Sequence, residues 1–202
     1  MDFRLTEEQK MMVKTARQIG ERFGLDYWRR QDAAMAFPQE FWKAVCDAGL
    51  CGVALAEDCG GSGLGMLEMA LIVENLAAGG GGSTVGQLFM INPIFGGVSI
   101  SRFGTPAMKR DILPKIVSGE INACMGLTEP DAGSNTLEMR TFAAPDGDGW
   151  RINGRKIWIT AVPDAAKILI VARTRKLEPG VHRRTDGLSM FLVDVDRIGL
   201  TH

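Results

Sequence analysis

Two short segments in the second half of this chain carry residue types and spacings that could do chemistry. The first is Met125-Gly126-Leu127-Thr128-Glu129-Pro130-Asp131-Ala132-Gly133-Ser134-Asn135-Thr136. Read as a strand ending in Thr128 and then a loop with Pro130 and Gly133, it gathers backbone N–H groups near the hydroxyls of Thr128, Ser134 and Thr136. Such a loop can hold a phosphate or the polar edge of a heterocycle without a full positive charge. An ordinary hairpin loop explains it equally well. The second segment is Lys156-Ile157-Trp158-Ile159-Thr160. Alternate residues of a strand share a face, so Lys156, Trp158 and Thr160 are expected on one side and Ile157 and Ile159 on the other. With the isoleucines in the core, an indole beside a hydroxyl suits a planar heteroaromatic ring, through stacking and one directed hydrogen bond. A tryptophan half-buried under a neighbouring domain accounts for the same pattern.

The elements that must position these segments change character near Ile121. Before it the punctuation is helical. Thr6 with Gln9 forms a capping box, after which Met12, Ala16, Ile19 and Phe23 recur on one helical face. Pro38 fits the first turn of a second helix with Phe41, Trp42 and Val45, closed by Gly49. Met66, Ala70, Val73 and Ala77 mark a third, stopped by the glycines at 79–82. Thr84 with Gln87 predicts a further capping box and a helix through Leu88, Ile91 and Phe95, kinked by Pro93. Thr105-Pro106 starts another, with Ile112, Leu113 and Ile116 on its buried side. From Ile121 the period falls to two: Ile121, Ala123, Met125 and Leu127 alternate with Asn122, Cys124 and Gly126. Asn153-Gly154, between residues 150–152 and 155–160, is a two-residue hairpin signal. Residues 168–172 and 188–193 read as strands, and residues 174–186 between them as an exposed loop. The expected organisation is α+β: an all-helical domain over residues 1–120, then an antiparallel, β-barrel-like domain over residues 121–202.

Composition narrows the function classes. The chain has 202 residues, and its 23 Lys and Arg against 24 Asp and Glu give no electrostatic drive toward nucleic acid or anionic membranes. No run approaches the ~20 apolar residues of a membrane span, and the opening residues lack a signal peptide's apolar core. A cytoplasmic protein is therefore expected. Cys46, Cys51, Cys59 and Cys124 form no metal-ligand pattern and read as reduced, mostly buried thiols. Glycine, at 25 residues, exceeds the usual ~7% and is clustered. The run Gly60-Gly61-Ser62-Gly63-Leu64-Gly65 fails the dinucleotide-binding template, which places a glycine where Met66 or Glu68 stands and needs a βαβ unit. It reads as a tight interhelix loop. The glycines at 79–82 read as a loop long enough to yield to a ligand.

The two chemical segments, in this order after an all-helical half, resemble the acyl-CoA dehydrogenase family of flavoproteins. The resemblance covers the whole chain. It includes Leu5-Thr6-Glu7-Glu8-Gln9, the loop at residues 60–65, Phe103-Gly104-Thr105-Pro106 through Pro114-Lys115-Ile116, and Gly199-Leu200-Thr201-His202. It implies FAD as cofactor, with Met125, Leu127 and Thr128 along the flavin pyrimidine and ribityl side, and Gly133 and Ser134 near its phosphates. Ser134 also matches a contact to the acyl-CoA thioester arm. Trp158, followed by Ile159, matches the residue packed on the isoalloxazine, and Thr160 the hydroxyl directed at flavin N5. Two departures stand out: Asn135 where the family often has Asp, and Ala161-Val162-Pro163 where it usually has Asn after the motif threonine. The loop after Thr160 is therefore expected to be reshaped.

The implied reaction is α,β-dehydrogenation of an acyl-CoA, with hydride passing to the flavin and electrons onward to an electron-transferring flavoprotein. The family's catalytic glutamate lies in a C-terminal helical domain that these residues do not include, so no catalytic residue is assigned. Glu129 matches a loop position without a base role. Residues 87–99, with Phe89, Ile91 and Phe95, are either an acyl-pocket wall or plain core. The resemblance further implies a dimer or tetramer, or a hetero-oligomer. Other readings are a non-catalytic subunit supporting a partner's flavin site, and an acyl-CoA oxidase or flavin monooxygenase relative. On the leading reading 202 residues are about half of an enzyme, ending within its β domain.

Overall fold

The reciprocal capping box expected at Thr6 forms: its hydroxyl accepts from the Gln9 N–H at 3.1 Å, and the Gln9 side-chain oxygen accepts from the Thr6 N–H at 3.0 Å. It opens α1 (Glu7–Arg22), whose Ala16 and Phe23 enter the core with Met12 and Ile19 packed against them. The computed structural model describes residues 4–176, 178, 180 and 183–202. Contacts divide the chain into one unit ending at Asn122 and a second starting at Ala123.

In the first unit a helix that the sequence pattern did not announce, α2 (Leu25–Ala34), has no side-chain N-cap and follows α1 directly. Its Tyr27 and Trp28 join Phe23 of α1 and Phe41 of α3 (Gln39–Asp47) in edge-to-face pairs with centroids 4.8 to 5.7 Å apart. This aromatic cluster is part of the helical core. The buried stripe of α4 (Met66–Leu76) is Met69, Ile72 and Leu76.

The glycines after α4 are not a yielding loop. Ala77–Gly81 is a π-type turn broken at Gly80, and it lies directly against α1. A Cβ on Gly79 would stand 2.1 Å from the Gly20 carbonyl carbon, and one on Gly20 would stand 2.8 Å from the Leu76 oxygen. Glycine on both sides is what lets the two backbones touch. The next helix, α5 (Gly82–Phe89), starts ahead of Thr84 with no side-chain cap, so the Thr84–Gln87 box does not form. The kink expected at Pro93 is a π-helical stretch, Met90–Val98. Proline has no N–H to donate, and the helix widens around it. Phe89 is buried edge-to-face on Trp42 at 5.6 Å, and Ile91 is also buried, so both are core. After α6 (Ser99–Phe103), α7 (Pro106–Val117) begins as expected, with the Thr105 hydroxyl accepting from the Met108 N–H at 3.2 Å.

The loop at residues 60–65 folds back on residues 52–56. The N–H groups of Gly61, Ser62, Gly63 and Leu64 donate to the carbonyls of Ala56, Gly52, Leu55 and Val53. Its donors are thus spent internally, and none of these four is offered to a phosphate. All four cysteines are free and buried.

The second unit is a five-stranded mixed sheet rather than a wholly antiparallel one. Its strands are β1 (Ala123–Gly126), β2 (Phe142–Asp146), β3 (Gly149–Asn153), β4 (Lys167–Arg173) and β5 (Leu188–Asp194). The order runs β1-β4-β2-β3, and β5 pairs with β4 along its length. β1 is parallel to β4, from Ala123↔Lys167 to Gly126↔Ile170, and β2 meets β4 in parallel at Phe142↔Arg173. The hairpin predicted at Asn153-Gly154 lies elsewhere. Residues 150–153 pair backward with β2, in the register Asp146↔Gly149 to Phe142↔Asn153, around a Gly147-Asp148 turn. Gly147 supplies the positive φ such a turn needs. Gly154 serves a different purpose: a Cβ there would lie 2.2 Å from Thr141 Oγ1. Of the loop expected over residues 174–186, Leu177, Pro179, Val181 and His182 lie outside the described residues. Its ends are joined by the Thr174 N–H donating to the Gly187 oxygen at 2.7 Å.

These contacts give opposite signs to two glycine substitutions in the helical unit. Gly79→Ala forces a methyl into the α1 backbone and should cost about 3 kcal/mol or more. Gly86→Ala, within α5 and with open space around its Cβ position, should gain about 0.5–1 kcal/mol. Urea denaturation of both variants measures the pair.

Candidate functional site

The sheet of the second unit separates the two chemical segments by face. Met125 and Leu127 pack with Ala132, Met139 and Val171. Over the opposite face, Lys156 Cγ and the Ile159 and Ile168 Cδ1 atoms approach within 3.3 to 3.5 Å of where a Gly126 Cβ would stand. Gly126 lacks a side chain where the second segment crosses β1.

One buried carboxylate binds the segments together. Glu129 accepts from the Arg140 N–H at 2.6 Å on one oxygen, and from the Thr141 N–H and the Lys156 ammonium, both at 2.9 Å, on the other. Lys156 also donates to the Leu127 carbonyl at 2.9 Å. The two charged side chains are only 7% and 6% exposed. Burial alone would raise the Glu129 pKa, but the Arg140 N–H, the Lys156 ammonium and Thr141 outweigh it and hold it down to about 2. Burial also lowers the Lys156 pKa, against the opposing pull of Glu129. Beside this pair, the Ile157 N–H donates to the Thr128 carbonyl at 2.9 Å. Thr128 and residues 156–159 are therefore neighbours, as the chemistry anticipated from sequence requires.

Their conformation differs from that expectation. Residues 154–159 belong to no strand, so side chains do not simply alternate across them. Lys156 is buried, whereas Trp158 is 87% exposed with a left-handed backbone, φ +58°. Such a conformation costs a bulky L-residue roughly 1–3 kcal/mol. Ile157 and Ile159 are half-buried, Thr160 is exposed, and so are Gly133 and Ser134 on the other loop. Behind the segment lies a hollow of about 890 Å³, bordered by Ile157, Ile159, Ile168, Ile170 and Val193. After Thr160 the chain turns sharply. Ala161 is left-handed at φ +63° and leads into a 3-10 turn, Val162–Asp164.

The chemistry open to this arrangement is binding and orientation. Hydroxyls at Thr128, Ser134 and Thr160 and an outward indole are available, while Glu129 has both oxygens engaged and cannot serve as a base. Among the described residues, no cluster of three His, Cys, Asp or Glu could hold a metal, and no helix is long and apolar enough to cross a membrane. What sequence reasoning missed is the Glu129–Lys156 pair. Its signal was a lysine directly before an apolar pair and a glutamate directly before a proline.

Glu129 lies below its ordinary carboxylate range in the folded chain. The stability it contributes is complete above about pH 5 and is lost as the pH falls through 4.5 toward 2. The amount is about 3 kcal/mol. Unfolding midpoints between pH 7 and pH 2 should show this loss, and Glu129→Gln should flatten it while lowering stability at pH 7. Ala161→Asn should raise stability by about 0.5–1 kcal/mol, since Asn tolerates the left-handed region that Ala resists; thermal melts read that change.

Comparison with known proteins agrees along the chain. The family model for the acyl-CoA dehydrogenase N-terminal domain matches residues 6–120, and that for the middle domain matches residues 124–202. The acyl-CoA dehydrogenase FadE12 of Mycobacterium tuberculosis is 32% identical over 197 residues, covering 98% of this chain and 49% of that protein. A glutaryl-coenzyme A dehydrogenase solved with glutaryl-CoA superposes with a TM-score of 0.88 at 29% identity, over 96% of this chain and 48% of that one. The glutaryl-CoA dehydrogenase of Mycobacterium smegmatis in complex with FADH2 gives 0.82 at 29% identity, over 98% and 48%. The chain spans about half the length of these relatives.

Proposed function

The chain belongs to the acyl-CoA dehydrogenase family, and from that premise we propose that it forms the FAD- and acyl-CoA-facing part of a flavin-dependent oxidoreductase. The reaction is α,β-dehydrogenation of an acyl-CoA thioester to the trans-2-enoyl-CoA, with electrons passed on to an electron-transferring flavoprotein. When bound, FAD supplies a hydride acceptor at N5.

The observation that carries this reading is Trp158. Its indole is 87% exposed on a left-handed backbone. Nothing described in its own unit covers the indole face, and a planar ring laid on it would. Thr160, two residues on, is exposed beside it and offers the hydroxyl for one directed hydrogen bond. Thr128 is held next to this segment by its carbonyl. Met125 and Leu127 shape the sheet on the far side, and Ile159 seats the segment over Gly126. Gly133 and Ser134 stand on an exposed loop, where a phosphate or the thioester arm could meet N–H and hydroxyl donors. The residues present thus fit the group, and their task is to bind and orient it.

Proton abstraction from the thioester falls to none of these residues. Glu129 is ionised but saturated with donors, and moving a proton to it would break the bonds that hold the loop.

The test is a titration of FAD into the purified protein, followed by flavin fluorescence. Saturable binding is expected, weakened at least about tenfold by Trp158→Ala, with circular dichroism unchanged because the side chain is exposed. Absence of binding, or a variant that binds as tightly as the parent, defeats the reading.

A further inference from the structure

Arg173 ends β4 with a buried guanidinium, 3% exposed, whose hydrogen bonds run to backbone carbonyls. Nε donates to the Met139 oxygen at 2.9 Å, and Nη2 donates to the Leu137 oxygen and, at 3.2 Å, to the Arg184 oxygen. Nη1 is buried without a hydrogen-bond partner among the described residues. Withdrawing a guanidinium from water is costly, and an apolar side chain of similar volume often fills such a space at lower cost. What an apolar side chain could not supply is a rigid fork of donors converging on two separate stretches of chain.

Those stretches are significant. Leu137 and Met139 close the loop that carries Gly133 and Ser134, and Arg184 belongs to the segment returning to β5. The Arg184 side chain reaches back to Glu138 in an ion pair. At its start the same loop is held by Glu129, which accepts from Arg140 and Thr141 and from Lys156. Residues 130–138 are therefore pinned where the loop closes by two buried charges of opposite sign. The Glu129 carboxylate, at the start of the loop, gathers the Arg140 and Thr141 N–H groups just past its exit, and the guanidinium gathers the Leu137 and Met139 carbonyls at that same exit. Gly133 and Ser134, between these anchors, are exposed.

We propose that Arg173 is a positioning residue for cofactor binding: it fixes the exit of the 130–138 loop in the shape that receives the phosphates of FAD. This rests on the flavin reading given above. Arg173 touches no ligand itself and acts through the carbonyls of Leu137 and Met139.

The experiment compares the parent with R173M and R173K by two measurements. Amide hydrogen exchange on the ligand-free protein follows Glu138, Met139 and Arg140, whose N–H groups are bonded within the loop. Fluorescence titration follows FAD. R173M should speed exchange at these amides at least tenfold and weaken FAD at least tenfold. R173K keeps the charge and can reach part of the carbonyl set, so it should recover both to within about threefold of the parent. Should R173M not fold, R173K carries the test alone, as a small matched loss of exchange protection and of affinity against no loss in either. A parent that binds no FAD overturns the flavin reading itself. A parent that binds FAD as do both variants, or variants that lose affinity equally, overturns the role of Arg173 alone.

Discussion

A carboxylate shut away from water must either give up its charge or be surrounded by donors, and Glu129 takes the second course. Its three donors come from two places: the peptide groups at Arg140 and Thr141, and the Lys156 ammonium. Each member of the Glu129–Lys156 pair would be costly to bury alone, and removing one typically costs 3–5 kcal/mol. The pair's value lies in geometry more than in net stability, since apolar side chains could fill the space. It brings a loop after β1 and a segment after β3 to one place, and the Ile157–Thr128 hydrogen bond follows from that placement.

Once Lys156 is drawn inward and the segment lies over Gly126, little freedom remains for the next residues. The chain leaves the β2–β3 hairpin through Gly154, pressed close to Thr141. It must then turn sharply to reach β4, and the left-handed residues Trp158 and Ala161 make that turn. The exposed indole is thus a product of the buried ion pair a few ångströms away. The cost of that turn is the strain of two non-glycine residues in the left-handed region.

Much of the helical unit was legible because its signals are local. Capping at Thr6 and Thr105, the apolar stripe of α1 and the aromatic face of α3 depend on residues within one or two turns of each other. α2 was missed because it has no side-chain cap and its apolar residues bury against helices on either side. In the β unit the strand cores at residues 168–172 and 188–193 were plain from their apolar runs. The hairpin was displaced because Asn153-Gly154 and Gly147-Asp148 are both good turn pairs, and only pairing between whole strands decides between them. For the candidate site, the segments carrying Thr128 and Trp158 stood out in the sequence, but not the way they are held together. Alternation assigns Lys156 and Trp158 to one face, and it fails where a distant carboxylate pulls the lysine inward.

Gly20 and Gly79 show what backbone contact implies for how such a chain can change over time. In most cores a larger side chain on one helix can be offset by a smaller one on its neighbour, so the pair can drift together. Where α1 meets the turn after α4 neither residue has anything left to remove. Variation at either position has no route through compensation at the other, so relatives that pack these helices this closely should hold both positions fixed while the surrounding apolar residues exchange freely.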